Sequence, residues 1–194
     1  MNDSAESDAE AGARVAEDES RKTDQGNNPS IYNGTRHNIG MMGLDYSLTK
    51  LGIQWEFDKS LSGWHAKCEN YPNFFFYKPK TFMNICGPNI QNAIKRFKVD
   101  PKKSLVIHDD IERKLGKINV KSGGSANGHN GVRSLINSLA TDSIKRIRIG
   151  IGKPEKEEVH QWVLGSFTER ELDIIDETVY PLLCETILNN LKHE

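Results

Sequence analysis

The sequence predicts one α/β domain in which helices cover both faces of a mixed, mostly parallel sheet, with an acidic tail in front of it. Patterns typical of helices and strands alternate along most of the chain, which favours this three-layer α/β/α architecture. The length of 194 residues suits one domain with a substantial core, whereas two full domains would be cramped. Acidic residues are concentrated at the N-terminus, which separates a tail from the body.

The tail is predicted to be disordered because it carries many charges and no apolar periodicity. Residues 1–25 hold eight acidic and three basic side chains, a net charge of −5. Residues 26–194 then hold 19 acidic and 23 basic side chains, a net charge of +4, although the whole chain carries −1. We therefore expect the folded domain over residues 26–194, and its mildly basic charge permits a polyanionic partner without requiring one.

Several classes of protein are excluded by composition. No stretch approaches the roughly 20 apolar residues of a membrane span. The N-terminus lacks the basic and then apolar layout of a secretory signal, and its acidity argues against a mitochondrial presequence. The cysteines Cys68, Cys86 and Cys184 have no metal-binding spacing. A reduced intracellular compartment is expected, most simply the cytoplasm, with an organelle as the alternative.

The elements can be predicted in order. In the first half, leucines at helical spacing predict a helix, runs rich in aromatic residues predict three strands, and Pro88 is placed to begin a second helix. The predicted ranges are a helix over 38–51 and strands over 53–57, 64–69 and 73–78. In the second half we predict strands over 104–108, 117–121 and 146–151, a helix over 131–140, and a C-terminal helix from about 169 to 191. Pro181 is expected to kink or split that last helix.

Polar residues cluster at the ends of these elements. His37 lies where the first helix begins, after a loop rich in Gly, Asn and Pro. A histidine at a helix N-terminus tends to stay neutral, and a neutral imidazole can act as a general base near pH 7. A surface or capping histidine would fit the same position.

A second cluster lies between the third predicted strand and the second helix. Asn84 offers a donor and acceptors suited to gripping an amide or ordering a water molecule, and Phe82 and Met83 could line an apolar pocket. A plain loop that ends in a capping asparagine is the alternative.

A third cluster, His108-Asp109-Asp110, ends the apolar strand, where open α/β sheets place ligand groups. One carboxylate could orient a histidine ring, the pair could hold a metal, or the residues could form a solvated turn. Because the histidines are dispersed and lack metal-ligand spacing, no metal site is expected.

The fourth cluster is a Gly-rich loop over 122–131 that contains His129 and Asn130 and enters a helix. Such a loop can cradle phosphate through backbone N–H groups, although its spacing matches neither the P-loop nor the dinucleotide motif; a flexible loop is the alternative. Lys121, Arg146 and Arg148 either add positive charge beside this loop or are ordinary surface residues.

Together these clusters resemble the bacterial-type peptidyl-tRNA hydrolase family over about residues 26–192. One such motif would be a weak signal, but several in the same order are highly specific. The matching segments are Tyr32–Gly40 (YNGTRHNIG), Lys78–Asn84 (KPKTFMN), His108–Ile111 (HDDI), Ser125–Leu135 (SANGHNGVRSL), Arg148–Pro154 (RIGIGKP) and Val163–Gly165 (VLG).

The resemblance implies a phosphorylase/hydrolase-like three-layer fold and hydrolysis of the ester that joins a peptide to the terminal ribose of tRNA, without metal or cofactor. By this resemblance, His37 would be the general base on water and Asp109 would orient it. Asn27 and Asn84 would position the peptide and the ester, His129 and Asn130 would contact the acceptor end and the substrate backbone, and Lys121 and Arg148 would clamp the 5′-phosphate of the tRNA. The implied binding set is Asn27, Tyr32, Phe82, Met83, Asn84, Lys121, His129, Asn130 and Arg148. The expected partner is peptidyl-tRNA, without a membrane, and the expected state is a monomer.

The chain departs from the family at its start. Relatives begin with an apolar strand that runs into G-x-G-N-P-G, whereas residues 19–25 here are polar and are followed by Gly26-Asn27-Asn28-Pro29. Either Asn27 or Asn28 fills the substrate-binding position. The loss of a central strand would remove buried area and hydrogen bonds. The alternatives to an esterase are therefore a non-catalytic RNA-binding relative of the same fold and an unstable fragment.

Overall fold

A computed structural model describes residues 34–192 of the protein. The helices are α1 (Ile39–Lys50), α2 (Gly87–Phe97), α3 (Asn130–Leu139), α4 (Val159–Leu164), α5 (Glu169–Ile174) and α6 (Tyr180–Lys192). The strands are β1 (Glu56–Asp58), β2 (Gly63–Cys68), β3 (Tyr71–Pro79), β4 (Leu105–Asp110), β5 (Ile118–Ser122) and β6 (Lys145–Gly150). Predictions for the acidic tail, the missing first strand, Asn27, Asn28 and Tyr32 fall outside the described residues.

The strands form two three-stranded sheets. One is an antiparallel meander in the order β1-β2-β3, in which His65 lies opposite Tyr77. The other has the order β4-β6-β5, with β4 and β6 parallel and β5 antiparallel to β6. The predicted α/β class with a mixed sheet is confirmed. Among the described strand pairs only β4–β6 is parallel, because the short connections between β1, β2 and β3 favour antiparallel hairpins.

The core lies between the mixed sheet and the helices at the two ends of the described chain. Ile147 and Ile149 of β6 are completely buried, as is Leu183 of α6. Helices α1 and α6 approach so closely that a Cβ at Gly43 would lie 2.4 Å from Leu183 Cδ2. This contact fixes α1, and the turn that precedes it, against the C-terminal helix.

The predicted C-terminal helix is interrupted, as Pro181 led us to expect. A π-helical segment, Ile175–Val179, separates α5 from α6. A proline ring collides with the carbonyl group four residues earlier, and the wider turn accommodates this just before Pro181. Helix α4 was not predicted, because six residues are too few to show a helical period.

The cysteines behave mainly as small apolar residues. Cys68 and Cys86 are buried, and none of the three forms a disulfide. Burial raises the pKa of the Cys86 thiol to about 11, so this group stays protonated and unreactive at neutral pH. Across residues 34–192, every helix is too short or too polar to cross a membrane.

Candidate active site

The first predicted site residue, His37, lies in a 3₁₀ turn (Arg36–Asn38) that leads into α1. This end of α1 is pressed against β4: a Cβ at Gly40 would lie only 2.7 Å from the carbonyl oxygen of Ile107. Only glycine permits this approach, because any larger side chain would collide with the strand backbone. The packing brings His37 to the carboxyl end of β4, where Asp109 lies.

Asp109 is the centre of the site, with 2% of its surface exposed. Its Oδ1 atom lies 2.8 Å from His37 Nδ1 and 2.9 Å from His129 Nε2. The two imidazole rings lie 4.8 Å apart, centre to centre. Three residues that are distant in the sequence, from the 3₁₀ turn before α1, from β4 and from the N-cap of α3, therefore meet at one carboxylate oxygen.

The hydrogen bonds define which ring nitrogens carry protons. His129 Nδ1 accepts a hydrogen bond from the backbone N–H of Val132 at 3.2 Å, so its proton is on Nε2, which donates to Asp109. His37 Nδ1 likewise donates to Asp109, since a carboxylate only accepts. This leaves the Nε2 lone pair of His37 available to take a proton.

Asp109 stays ionised in this setting. Burial alone would raise the pKa of its carboxyl group, but the hydrogen bonds from His129 and His37 outweigh it and hold that pKa well below its usual range. A buried carboxylate can therefore both orient a histidine and stabilise the positive charge that the ring acquires when it takes up a proton.

The imidazole ring of His108 lies beside the triad, next to His129. Its Nδ1 lies 2.6 Å from the carbonyl oxygen of Asp109, and its ring stands edge-on to His129 with the ring centres 4.8 Å apart. Burial, together with the neighbouring His129, lowers the pKa of His108 to about 4. Its buried Nε2 has no hydrogen-bond partner among the described residues. His108 is therefore uncharged at neutral pH.

The side chains of His37, Asp109 and His129 could together hold a cation. This was not predicted, because the three residues are far apart in the sequence. One ligand atom from each of His37, Asp109 and His129 lies within 4.8 Å of the others. In the observed arrangement, however, the His129 nitrogen that faces Asp109 carries a proton. A metal could bind there only if this proton moved or left, so the geometry favours a hydrogen-bonded triad.

Beside the triad lies the turn Met83–Ile85. A Cβ at Gly131 would lie 2.5 Å from Met83 Sδ, so Met83 packs against the start of α3, next to His129 and Asn130. Phe82 is 58% exposed, and Asn84 is exposed too. Asn130 is exposed and accepts a hydrogen bond from Arg133 at 3.4 Å. The second and fourth predicted clusters are therefore neighbours.

The predicted basic residues lie on one face of the mixed sheet. In β5 and β6, Lys121 is opposite Arg146, and Asn119 is opposite Arg148. Residues two apart on a strand, and residues directly opposite, share a face, so all four side chains belong to the same surface. Arg148 is held there by Asn119 Oδ1 at 2.7 Å and by Asp110 Oδ2 at 3.3 Å.

Arg146 has a role that the sequence did not reveal. Its side chain is buried, and its guanidinium donates to the carbonyl oxygens of Gly123, Gly124 and Ser125. It therefore fastens the Gly-rich loop to β6 instead of presenting free charge beside that loop. The alternation of basic and apolar residues in β6 shows that Arg146 and Arg148 share a face, but it does not show which of them is buried.

Comparisons with known proteins agree with this geometry. The model of the peptidyl-tRNA hydrolase family matches residues 24–192. A peptidyl-tRNA hydrolase of Lactobacillus gasseri is 36% identical over 165 residues, which cover 85% of this chain and 88% of the relative. One from a Sulfurihydrogenibium species is 37% identical over 169 residues, covering 87% and 88%. The crystal structure of peptidyl-tRNA hydrolase from Acinetobacter baumannii superimposes with a TM-score of 0.72 at 28% identity, covering 84% of this chain and 89% of that one.

The order of elements, the buried His–Asp–His triad and these similarities over most of the chain agree with one another. The chain belongs to the peptidyl-tRNA hydrolase family.

Proposed function

We propose that the protein hydrolyses the ester between a peptide and the terminal ribose of tRNA, with His37 as the general base. The observation that carries this proposal is the hydrogen bond of His37 Nδ1 to the buried Asp109 at 2.8 Å, which leaves His37 Nε2 as a free base. Membership of the peptidyl-tRNA hydrolase family supports the choice of substrate.

The proposed reaction needs only a positioned water, a base and a polarised carbonyl group. His37 Nε2 takes a proton from water while the oxygen attacks the ester carbon. The tetrahedral intermediate then collapses, and the ribose oxygen leaves with the proton that His37 held. The products are tRNA and the peptide carboxylic acid, which releases its proton to solvent and becomes the carboxylate. Asp109 remains ionised and stabilises the imidazolium between the two steps.

His129 has an orienting role in this scheme. Because its Nδ1 is occupied by the N–H of Val132, its Nε2–H must donate to Asp109. That second hydrogen bond fixes the rotation of the carboxylate, and hence the direction in which His37 is held. Its neighbour Asn130 is exposed at the start of α3, where it is proposed to contact the substrate backbone.

The peptide and ester are proposed to lie along the turn at Met83. Asn84 would hold the ester region through its amide, while Phe82 and Met83 supply apolar contacts. Asn27 and Tyr32 are proposed to complete the binding set from the segment before the described residues. Residues 26–194 are proposed as the folded unit, and residues 1–25 as a disordered tail.

The tRNA is proposed to bind the basic face of β5 and β6. Lys121 and Arg148 would contact its 5′-phosphate; Arg148 is held ready by Asn119 and Asp110. Such contacts are largely independent of sequence. We propose that the protein acts as a monomer, since every group in the scheme comes from one chain. The cytoplasm is the proposed compartment, with an organelle as the alternative.

The test is release of peptide from an N-blocked aminoacyl-tRNA by the purified chain in EDTA. We expect turnover that falls by about 10²- to 10⁴-fold in His37→Ala, because that is the usual contribution of a general base. The matched control is His160→Ala, since His160 is 68% exposed and far along the chain in α4. Binding of tRNA should persist in both variants.

Two results would contradict the proposal. A cooperatively folded chain that binds tRNA without turnover would be a non-catalytic RNA-binding member of the fold. If EDTA abolishes turnover, the site formed by His37, Asp109 and His129 is a metal centre and not a hydrogen-bonded triad. If the chain does not melt cooperatively, any loss of activity is due to incomplete folding.

A further inference from the structure

Arg36 precedes the proposed general base and is buried, yet the reaction described above does not use it. The residue is 5% exposed, and its side chain contacts the segment Trp162–Glu171. The guanidinium carbon lies 3.8 Å from the centre of the Trp162 ring. One terminal nitrogen donates to the carbonyl oxygen of Ser166, and the other donates to Glu171 Oε2 at 2.8 Å.

The backbone of the same turn is attached to the same segment. The N–H of Arg36 donates to the carbonyl oxygen of Gly165 at 3.0 Å. The preceding residue, Thr35, forms an isolated antiparallel bridge with Ser166. A Cβ at Gly165 would lie 3.2 Å from Arg36 Nη1, so the two segments are in close contact. Main chain and side chain therefore both hold the histidine turn against residues 162–171.

The partner segment is itself anchored, so it can act as a support. Glu171 Oε2 also accepts from the N–H of Thr168 at 2.7 Å, in a capping box that begins α5. Burial opposes its ionisation, but the hydrogen bonds from Thr168 and Arg36 hold the pKa of Glu171 below its ordinary value. Trp162 Nε1 donates to the carbonyl oxygen of Gly152 at 2.9 Å, which ties α4 to the chain just after β6.

We propose that Arg36 is a positioning residue for the hydrolysis, which fixes the backbone of His37 so that its ring stays on Asp109. The proposal rests on the function proposed above. Asp109 holds one end of the His37 side chain at 2.8 Å, but a ring with two rotatable bonds has a defined direction only if its backbone is fixed as well. Arg36 supplies that second anchor through the contacts of its guanidinium with Trp162, Ser166 and Glu171, whose planar geometry lysine cannot imitate.

The principal test compares Arg36→Lys, which keeps the charge and loses the paired donors and the stacking, with wild type. We expect kcat to fall by about 10- to 100-fold while KM changes less than about twofold, because displacement of a reacting group by 1 Å can cost about 10²-fold. Arg170→Lys is the matched control, since Arg170 is an exposed arginine in the same region. It should retain wild-type kcat and KM.

A second readout does not depend on turnover. The His37 Nδ1 proton, shared with Asp109, should give a downfield proton NMR signal that is present in wild type and in Arg170→Lys. It should be lost or broadened in Arg36→Lys. Glu171→Gln, which keeps an acceptor and removes the charge, should weaken the same signal and lower kcat less than Arg36→Lys does.

An unchanged kcat in Arg36→Lys, or an unchanged His37 signal, would overturn the proposal. A loss of activity that merely equals the unfolded fraction in a melt would overturn it too. If Arg36→Lys does not fold, Glu171→Gln decides by the same two criteria. If wild type releases no peptide, the proposed function fails, while the NMR comparison still decides whether Arg36 holds His37 on Asp109.

Discussion

At the scale of single residues, one oxygen atom organises the site. Asp109 Oδ1 accepts from both His37 and His129, and each bond depends on the negative charge of the carboxylate. An amide at this position could still accept through its oxygen, but its NH₂ group would compete for the same space and its neutral oxygen would hold an imidazolium poorly.

We therefore expect Asp109→Asn to lower kcat by about 10³- to 10⁴-fold, as the loss of an orienting carboxylate does in other histidine-based sites. The variant should fold, because the side chains are nearly equal in shape. The control is Asp110→Asn at the next residue, where the carboxylate faces Arg148 at 3.3 Å rather than the triad. It should change KM more than kcat. Steady-state release from N-blocked aminoacyl-tRNA measures both, and equal kcat losses in the two variants would contradict the assignment.

How far the site could be predicted from sequence differs from residue to residue. The position of His37 at a helix start and of Asp109 at a strand end marked both as candidate catalytic residues. The motif resemblance then predicted that Asp109 orients His37. Their meeting with His129 at one oxygen depends on tertiary packing, including the approach of α1 to β4 at Gly40. The burial of Arg36 and of Arg146 could not be predicted from the sequence. It depends on hydrogen-bond partners that lie more than 20 residues away along the chain.

At the scale of elements, the turn at Met83 depends on how α2 meets α3. A Cβ at Gly87, the first residue of α2, would lie 2.1 Å from the carbonyl oxygen of Ser134 in α3. The N–H of Gly87 also donates to Ser134 Oγ at 3.0 Å. The two helices can therefore pack at this distance only while residue 87 lacks a side chain, and the turn carrying Met83 and Asn84 directly precedes the contact.

Gly87→Ala should lower the free energy of unfolding by about 1–3 kcal/mol, the usual effect of overpacking, and should raise KM by displacing the turn. Helix propensity alone would predict the opposite sign, because alanine is favoured over glycine in a helix. The control is Asn92→Ala in the exposed part of α2, which should not destabilise the protein. Urea unfolding of both variants measures the effect, and a more stable Gly87→Ala would show that α2 and α3 can separate without cost.

At the scale of elements, too, the order of helices and strands was predictable, and the exceptions have physical causes. The predicted strands and long helices occur at their expected places, with ends displaced by a few residues. Periodicity predicts the existence of an element better than its ends, which depend on capping and pairing partners. The six-residue helix α4 shows too little pattern to be predicted, although through Trp162 it supports the histidine turn.

At the scale of the whole molecule, the free energy of unfolding should depend on pH because His108, beside the triad, is buried and uncharged. The pKa of His108 is about 4 in the folded protein, against about 6.5 for an unperturbed histidine. Between these two values the unfolded chain binds a proton that the folded chain does not, so acidification favours unfolding. Asp109 acts in the same direction at lower pH, since its pKa is held below the ordinary value and the unfolded chain protonates first.

The free energy of unfolding should therefore fall by about 3 kcal/mol between pH 7 and pH 4 on account of His108, and the contribution should level off below its folded pKa. His108→Leu, which has no titrating group, should flatten the slope over this range even if it changes the stability at pH 7. The exposed His160, replaced by Leu, is the matched control and should leave the slope as in wild type. Urea unfolding at intervals of half a pH unit measures the slopes. If the free energy of unfolding changes with pH in the same way in wild type and in His108→Leu, His108 takes up its proton equally in the folded and unfolded chain. Its ring beside His129 would then be accessible to water.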